Sequence, residues 1–251
     1  TSGENNNAIT KSEIIVNDFT SNISGYTSFS GIPDVDGTPL DPLRELIMNF
    51  PETRKIGNNI FTVLTWISNK LNSNVDVHTE VVWTVLQYVN GTWSLFQEGR
   101  ISDDEKSFWM PSINIDDVGN ISIIFSGSSS THAPSLYFTR KEIFDETFPE
   151  PILLKEGVTG VETNRWGDYY SLVSPSPNVV VGVGTVSAQN PYNTSVYTQK
   201  ITFPGVYLEL ECEENSELDL TLNIQKIETD DEPDPEDEPD PEDEPEPEDE
   251  P

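Results

Sequence analysis

Residues 109–140 read WMPSINIDDVGNISIIFSGSSSTHAPSLYFTR, and after a spacer residues 164–177 read NRWGDYYSLVSPSP. Apolar runs rich in β-branched and aromatic residues alternate here with the turn formers Asp116-Asp-Val-Gly-Asn120 and Gly127-Ser-Ser-Ser130. Branched side chains are stiff and fit a pleated surface, whereas Gly, Asn, Asp and Ser let the backbone bend. Their alternation at this spacing is the mark of an antiparallel meander.

Outward from that stretch, the same rhythm predicts strands near 43–50, 60–68, 80–88, 92–97, 110–115, 121–126, 135–139, 151–155, 169–174, 178–186 and 196–203. No helical window of useful length competes, and 44–48 reads as strand because of its neighbours. Grouped in fours, the strands give sheets beginning near residues 43, 110 and 169. The expected fold is all-β: a partial β-propeller of four-stranded antiparallel blades, with a β-sandwich as the rival architecture. The apolar runs Ile121-Ser-Ile-Ile-Phe125 and Val179-Val-Val-Gly-Val183 suit strands buried on both faces. Gly182 and Gly184 are small enough to let adjacent sheets approach closely.

Four regions follow. Residues 1–42, rich in Asn, Ser, Thr and Gly, form an incomplete preceding blade or a linker, with short strand candidates at 13–17 and 26–30. Residues 43–203 hold the blades. Residues 204–228 form a closing hairpin or the start of a next module. Residues 229–251 repeat Asp, Glu and Pro; proline removes backbone donors and like charges repel, so this tail is expected to be disordered and extended. It would act as a spacer. The chain opens on Thr1 without an initiator Met and stops inside the acidic repeat, so both ends are expected to continue into further domains of a longer chain.

The formal net charge is −32, and the tail from Asp230 holds fifteen acids and no base. A surface still acidic without that tail repels phosphate backbones and anionic lipid, which excludes nucleic acid as a partner. No apolar run reaches bilayer length, so no membrane insertion is expected. The single Cys212 allows no internal disulfide. Sequons begin at Asn22, Asn90, Asn120 and Asn193.

Several segments between Leu40 and Phe203 carry a resemblance. They are Leu40-Asp-Pro-Leu-Arg-Glu-Leu-Ile-Met48, Val82-Trp-Thr-Val-Leu86, Trp93-Ser-Leu-Phe-Gln-Glu-Gly99, Asp103 leading to Trp109-Met-Pro-Ser-Ile113, and Gly119-Asn-Ile121. Ser126-Gly-Ser-Ser-Ser130, Pro134-Ser-Leu-Tyr-Phe-Thr-Arg140 and Asn164-Arg-Trp-Gly-Asp-Tyr169 complete them. In this order they resemble large secreted microbial proteins with sialidase-like β-propeller repeats. The resemblance implies an extracellular or cell-surface module. The chain departs from that pattern after Tyr169, where Ser174-Pro-Ser-Pro-Asn178 leads into the valine run.

Two constellations stand out. Arg165, Trp166, Asp168 and Tyr169 offer an arginine fork for a carboxylate and an aromatic face for a sugar ring. The competing reading pairs Arg165 with a neighbouring acid and packs Trp166 between sheets. Asp34, Asp36 and Asp41 lie in a Gly/Pro loop and could give hard oxygen ligands to Ca2+, the one cofactor suggested; an ordinary turn is the competing reading. His78 and His132 lack the companions a zinc site needs. A sialidase site needs several arginines on one substrate carboxylate, with a nucleophilic Tyr beside a Glu. Arg44, Arg54, Arg100, Arg140 and Arg165 are instead scattered one per segment, and Tyr169 or Tyr170 with Glu162 is not a specific pattern. The expected function is a non-catalytic module presenting loops for glycan or protein binding. The alternatives are a structural piece of a fibre, appendage or virion, and a sialidase-like glycoside hydrolase fragment.

Overall fold

The computed structural model describes residues 13–17, 32–35, 40, 51–70, 78–162, 166, 170–188 and 194–203. Residues 1–203 and 204–251 form two separate units, and every described residue belongs to the first. The strands are β1 (Glu52–Ile56), β2 (Asn59–Asn69), β3 (Thr79–Val89), β4 (Thr92–Ile101), β5 (Ser107–Ile115), β6 (Asn120–Ser128), β7 (Ser135–Glu142), β8 (Ile152–Lys155), β9 (Ser171–Ser176), β10 (Val179–Ser187) and β11 (Thr194–Thr202). They form three antiparallel sheets in chain order, β1-β2-β3-β4, β5-β6-β7-β8 and β9-β10-β11. No helix occurs among the described residues, and the all-β reading of the sequence holds.

The boundaries differ at several strands: β4 continues to Ile101, β5 begins at Ser107 and β7 reaches Glu142, each beyond the run expected from the sequence. The strand expected at 43–50 and the hairpin expected at 204–228 lie outside the described residues. The first described strand is β1, whose sequence ETRKI carries three charges and so hid its strand character. It pairs with β2 from Glu52↔Val63 to Ile56↔Asn59. Its face alternates all the same, half-buried and exposed residues taking turns.

The central sheet is buried on both faces. Every residue of β5 is buried, as is all of β6 after Asn120. One face sets Phe108, Ile113, Ile115, Ile121, Ile123 and Phe125 against Phe61, Val63, Val81, Trp83 and Val85 of the first sheet. The other sets Trp109, Met110, Ile124, Leu136 and Phe138 against Trp166, Tyr170, Leu172, Val180 and Val186. Each such large side chain contributes about 1.5–3 kcal/mol when fully withdrawn from water. Close approach depends on glycine at the second interface. A Cβ on Gly182 would stand 2.6 Å from Ile124 Cδ1, and one on Gly184 would collide with Leu136 Cδ1. The small residues expected between sheets are where the sheets meet.

Two cations lie in these interfaces, Lys141 buried and Arg140 largely so. Arg140 reaches from β7 to Asp116 Oδ2 (3.2 Å) and to the carbonyl of Pro177 (2.6 Å), with its guanidinium 3.8 Å over the Phe203 ring. Burial lowers its pKa, and the Asp116 carboxylate opposes that shift. Lys141, only 3% exposed, points the other way. Its ammonium donates to Gln97 Oε1 (2.7 Å) and the Asp145 carbonyl (2.6 Å) and lies 4.7 Å over the Trp83 ring. Burial pushes its pKa down to about 8 from 10.5, against the pull of Asp145.

Between those two values the unfolded chain keeps a proton that folded Lys141 has shed, so stability from this group rises with pH through that window. Below about 8 the full cost of burying the ammonium is present. Urea unfolding of the native protein and Lys141→Met at pH 7 and pH 10.5 should show the native gaining up to about 3 kcal/mol relative to the variant. Parallel pH profiles would overturn this account.

Candidate functional site

The connections separate by length. At one end lie the two-residue turns Gly57-Asn58, Asn90-Gly91 and Pro177-Asn178, and the four-residue turn from Asp116 to Gly119. Asn90 (φ 52°) and Gly91 (φ 86°) both take the left-handed conformation that a tight twisted hairpin requires. In the Asp116 turn, the carboxylate accepts the backbone N–H of Val118 (3.1 Å) and Asn120 (2.8 Å), while Gly119 sits at φ 94°. Residues 143–151 are the exception at this end, a longer connector whose Phe148 packs edge-on to Trp83.

The chain leaves β2, β4, β6, β8 and β10 at the opposite end, where the described connecting residues are 70, 78, 102–106, 129–134, 156–162, 166, 170 and 188. Hydrogen bonds between sheets hold these ends level. Thr79 Oγ1 donates to the Phe108 carbonyl (2.8 Å), and the Ser187 N–H donates to the Pro134 carbonyl (3.2 Å). Further bonds knit the loops to one another: Gly157 N–H to Ser135 Oγ (2.9 Å), Val158 N–H to the Ser187 carbonyl (3.3 Å) and Thr159 Oγ1 to the Ala188 carbonyl (2.8 Å). A Cβ on Gly157 would collide with the Pro134 carbonyl, so glycine is required where these loops cross.

One described residue of each constellation chosen from the sequence, Asp34 and Trp166, lies at this end. Asp34 Oδ2 accepts the N–H of Val161 at 2.6 Å across 127 residues of chain, and its Oδ1 accepts the N–H of Val35 at 2.8 Å. Ser128 Oγ donates to the Pro33 carbonyl beside it. Asp34 is buried and serves as a strut between loops. Asp36 and Asp41 lie outside the described residues. Among the described residues no group of three or more His, Cys, Asp or Glu is arranged to hold a metal.

Trp166 is likewise buried, its ring edge-on to Trp109. Its indole N–H donates to Ser126 Oγ and Tyr170 Oη, each at 3.1 Å. The Tyr170 hydroxyl bonds Ser126 Oγ and reaches the Thr185 carbonyl at 3.0 Å. Burial raises the Tyr170 pKa, opposed by its hydrogen bonds to Ser126, Trp166 and Thr185. The Trp166 ring is thereby withdrawn from solvent. Arg165, Asp168 and Tyr169 lie outside the described residues.

The described arginines do not converge. Arg54 pairs with Glu52 (3.2 Å) and Asp117 (3.3 Å), Arg100 with the buried Glu80, and Arg140 with Asp116. Burial raises the Glu80 pKa, while Arg100 pulls it back. Tyr170 and Ser126 escaped the sequence reading as partners because one lies in the connector before β9 and the other on β6, 44 residues apart. Exposed described residues of the long-loop end include Val35 (37% exposed), Val158 (58%), Ser130, Thr131 and Glu162, with Asp104, Glu105 and Glu156. His132 lies among them, its Nδ1 3.0 Å from both Ser129 Oγ and Thr131 Oγ1.

No protein-family model matches the chain, and no curated protein matches it either.

Tyr170→Phe leaves the ring in place and removes the hydroxyl shared by three partners. It should cost about 1–3 kcal/mol in urea unfolding, with a matching loss in Trp166→Phe. The double variant should cost less than the sum of the two, because both act on one network. Strict additivity would show the bonds to be independent.

Proposed function

We propose that this chain is a non-catalytic β-propeller module of a secreted or surface protein, which binds a partner through its long-loop end. The observation that carries this reading is the distribution of connections: all five at one end run five residues or more, whereas four of the five at the other run two to four. Scaffolds of this kind place recognition on loops, because loops tolerate sequence change that packed strands do not. The propeller arrangement is supported by the order of the sheets along the chain, by up-and-down pairing within each, and by the burial of the middle sheet between its neighbours. The resemblance of residues 40–203 to sialidase-like repeats points the same way.

A protein partner is favoured over a glycan. Sugar rings dock on exposed aromatic faces, and Trp166 and Tyr170, the described aromatics within this end's loops, are buried. Exposed Val35 and Val158 beside hydroxyl groups suit a protein surface, and a formal charge of −32 favours a basic one. The separate ion pairs of Arg54, Arg100 and Arg140 weigh against the sialidase-like hydrolase alternative.

The test is a paired screen of immobilised full-length protein against a secreted-protein panel and a glycan array. A ligand should come from the protein panel. Its affinity should fall at least about tenfold in Val158→Glu and Thr131→Lys, a loss of about 1.4 kcal/mol or more, and stay unchanged in Thr92→Lys at the short-turn end. A ligand found only on the glycan array, or equally sensitive at both ends, would overturn the reading.

A further inference from the structure

Sheets end in edge strands whose free N–H and C=O groups template pairing with another chain, and proteins blunt such edges with charge, proline, bulges or short length. Five of the six described edges carry such a device. β1 has five residues, three of them charged. β4 carries Glu98 and Arg100 and a register shift against β3. β5 is buried and broken by a shift spanning Pro111. β8 has four residues. β9 contains Pro175 beside its own shift.

β11 has none of these. It runs nine residues in unbroken register with β10, from Val179↔Thr202 to Ser187↔Thr194. Its sequence TSVYTQKIT lacks proline and carries one charge, Lys200. No described strand pairs with its outer edge, whereas the other two sheets each have a fourth strand at this position. Along it Tyr197, Ile201 and the adjoining Phe203 are only partly buried against the core, and Val196 is 76% exposed.

We propose that β11 is a self-association edge: two copies of the chain pair β11 against β11, antiparallel, joining their three-stranded sheets into one of six strands. The strand is complementary to itself. Centred on Thr198, the pairing sets Val196 of each copy opposite Lys200 of the other, so the valine lies on the lysine's methylene stem and no like charges face each other. Such a contact is two-fold and closed. It also fits the charge of the chain. Antiparallel pairing puts Thr202 of one copy beside Thr194 of the other, so the chains continuing past Phe203 depart at points roughly 27 Å apart. That is more than three Debye lengths at physiological salt, about 8 Å each. In a molecule of formal charge −32, this nearly neutral strand offers a second copy little repulsion. The inference is independent of the long-loop reading.

Sedimentation equilibrium of the full chain, at several concentrations and at low and high salt, tests it. The native protein should form a dimer that tightens as salt screens the net charge, with β11 amides gaining protection from hydrogen exchange on dimerisation. The double variant Val196→Lys/Thr198→Lys places new ammonium groups opposite the other copy's Lys200 and opposite each other. It should weaken the dimer at least about tenfold, with an unchanged circular dichroism spectrum because both positions are exposed. A native protein that stays monomeric throughout would overturn the proposal. So would a dimer indifferent to the double variant, or β11 amides already protected in the monomer.

Discussion

A sheet buried on both faces has no solvent side on which to place its polar residues, and that constraint governs the rest of this structure. β5 and β6 must satisfy two neighbours at once, so their side chains are apolar on alternate faces and serve two separate cores. The spacing between sheets is then set by the smallest residues at the contact. At the second interface these are Gly182 and Gly184, which leave room for Ile124 and Leu136. Within the first sheet, Trp83 lies so close over its cross-strand partner Gly99 that a Cβ there would stand 2.5 Å from the indole. Close packing at this density transmits any change of volume to both neighbours.

Some polar groups within these interfaces find partners there, whereas the buried Trp83 and Trp109 indole nitrogens and the Ser112 and Ser122 hydroxyls find none among the described residues. The Tyr170 hydroxyl joins Ser126, Trp166 and a backbone carbonyl, tying the third sheet and its preceding loop to the second. Arg140 and Asp116 do the same at the opposite end, with Phe203 closing over the guanidinium. Lys141 is bound by an amide oxygen, a carbonyl and an aromatic face, with no carboxylate in direct contact among its described partners. Such bonds specify one alignment of sheet on sheet, because a shift along the strands would strand several buried donors at once. Apolar contact alone would tolerate sliding.

Most strands were legible because their physics is local. Branched residues between Gly, Asn and Asp turns located ten of the strands' positions, and the inter-sheet role of Gly182 and Gly184 followed from their place in a valine run. β1 was not legible, because Glu52, Arg54 and Lys55 mask a strand whose register is fixed by its partner β2. The site was legible only in outline. Asp34 and Trp166 were singled out as candidate calcium- and ligand-binding residues, and what each touches depends on chain brought from 127 and 40 residues away. No spacing rule encodes such separations. Arg140 and Lys141, adjacent in sequence, point into different interfaces by the alternation of a strand, and only the sheets on either side give each its meaning.

The tight hairpin at Asn90 and Gly91 bears on how the molecule would be clothed in sugar. Asn90 opens a sequon, is exposed, and stands on the end away from the long connectors. Asn120 opens another at the same end, but its side-chain nitrogen is committed to Asp116 Oδ2 at 2.8 Å. An oligosaccharide carried by Asn90 would therefore shroud the plain underside of the stack and leave the elaborate crown bare.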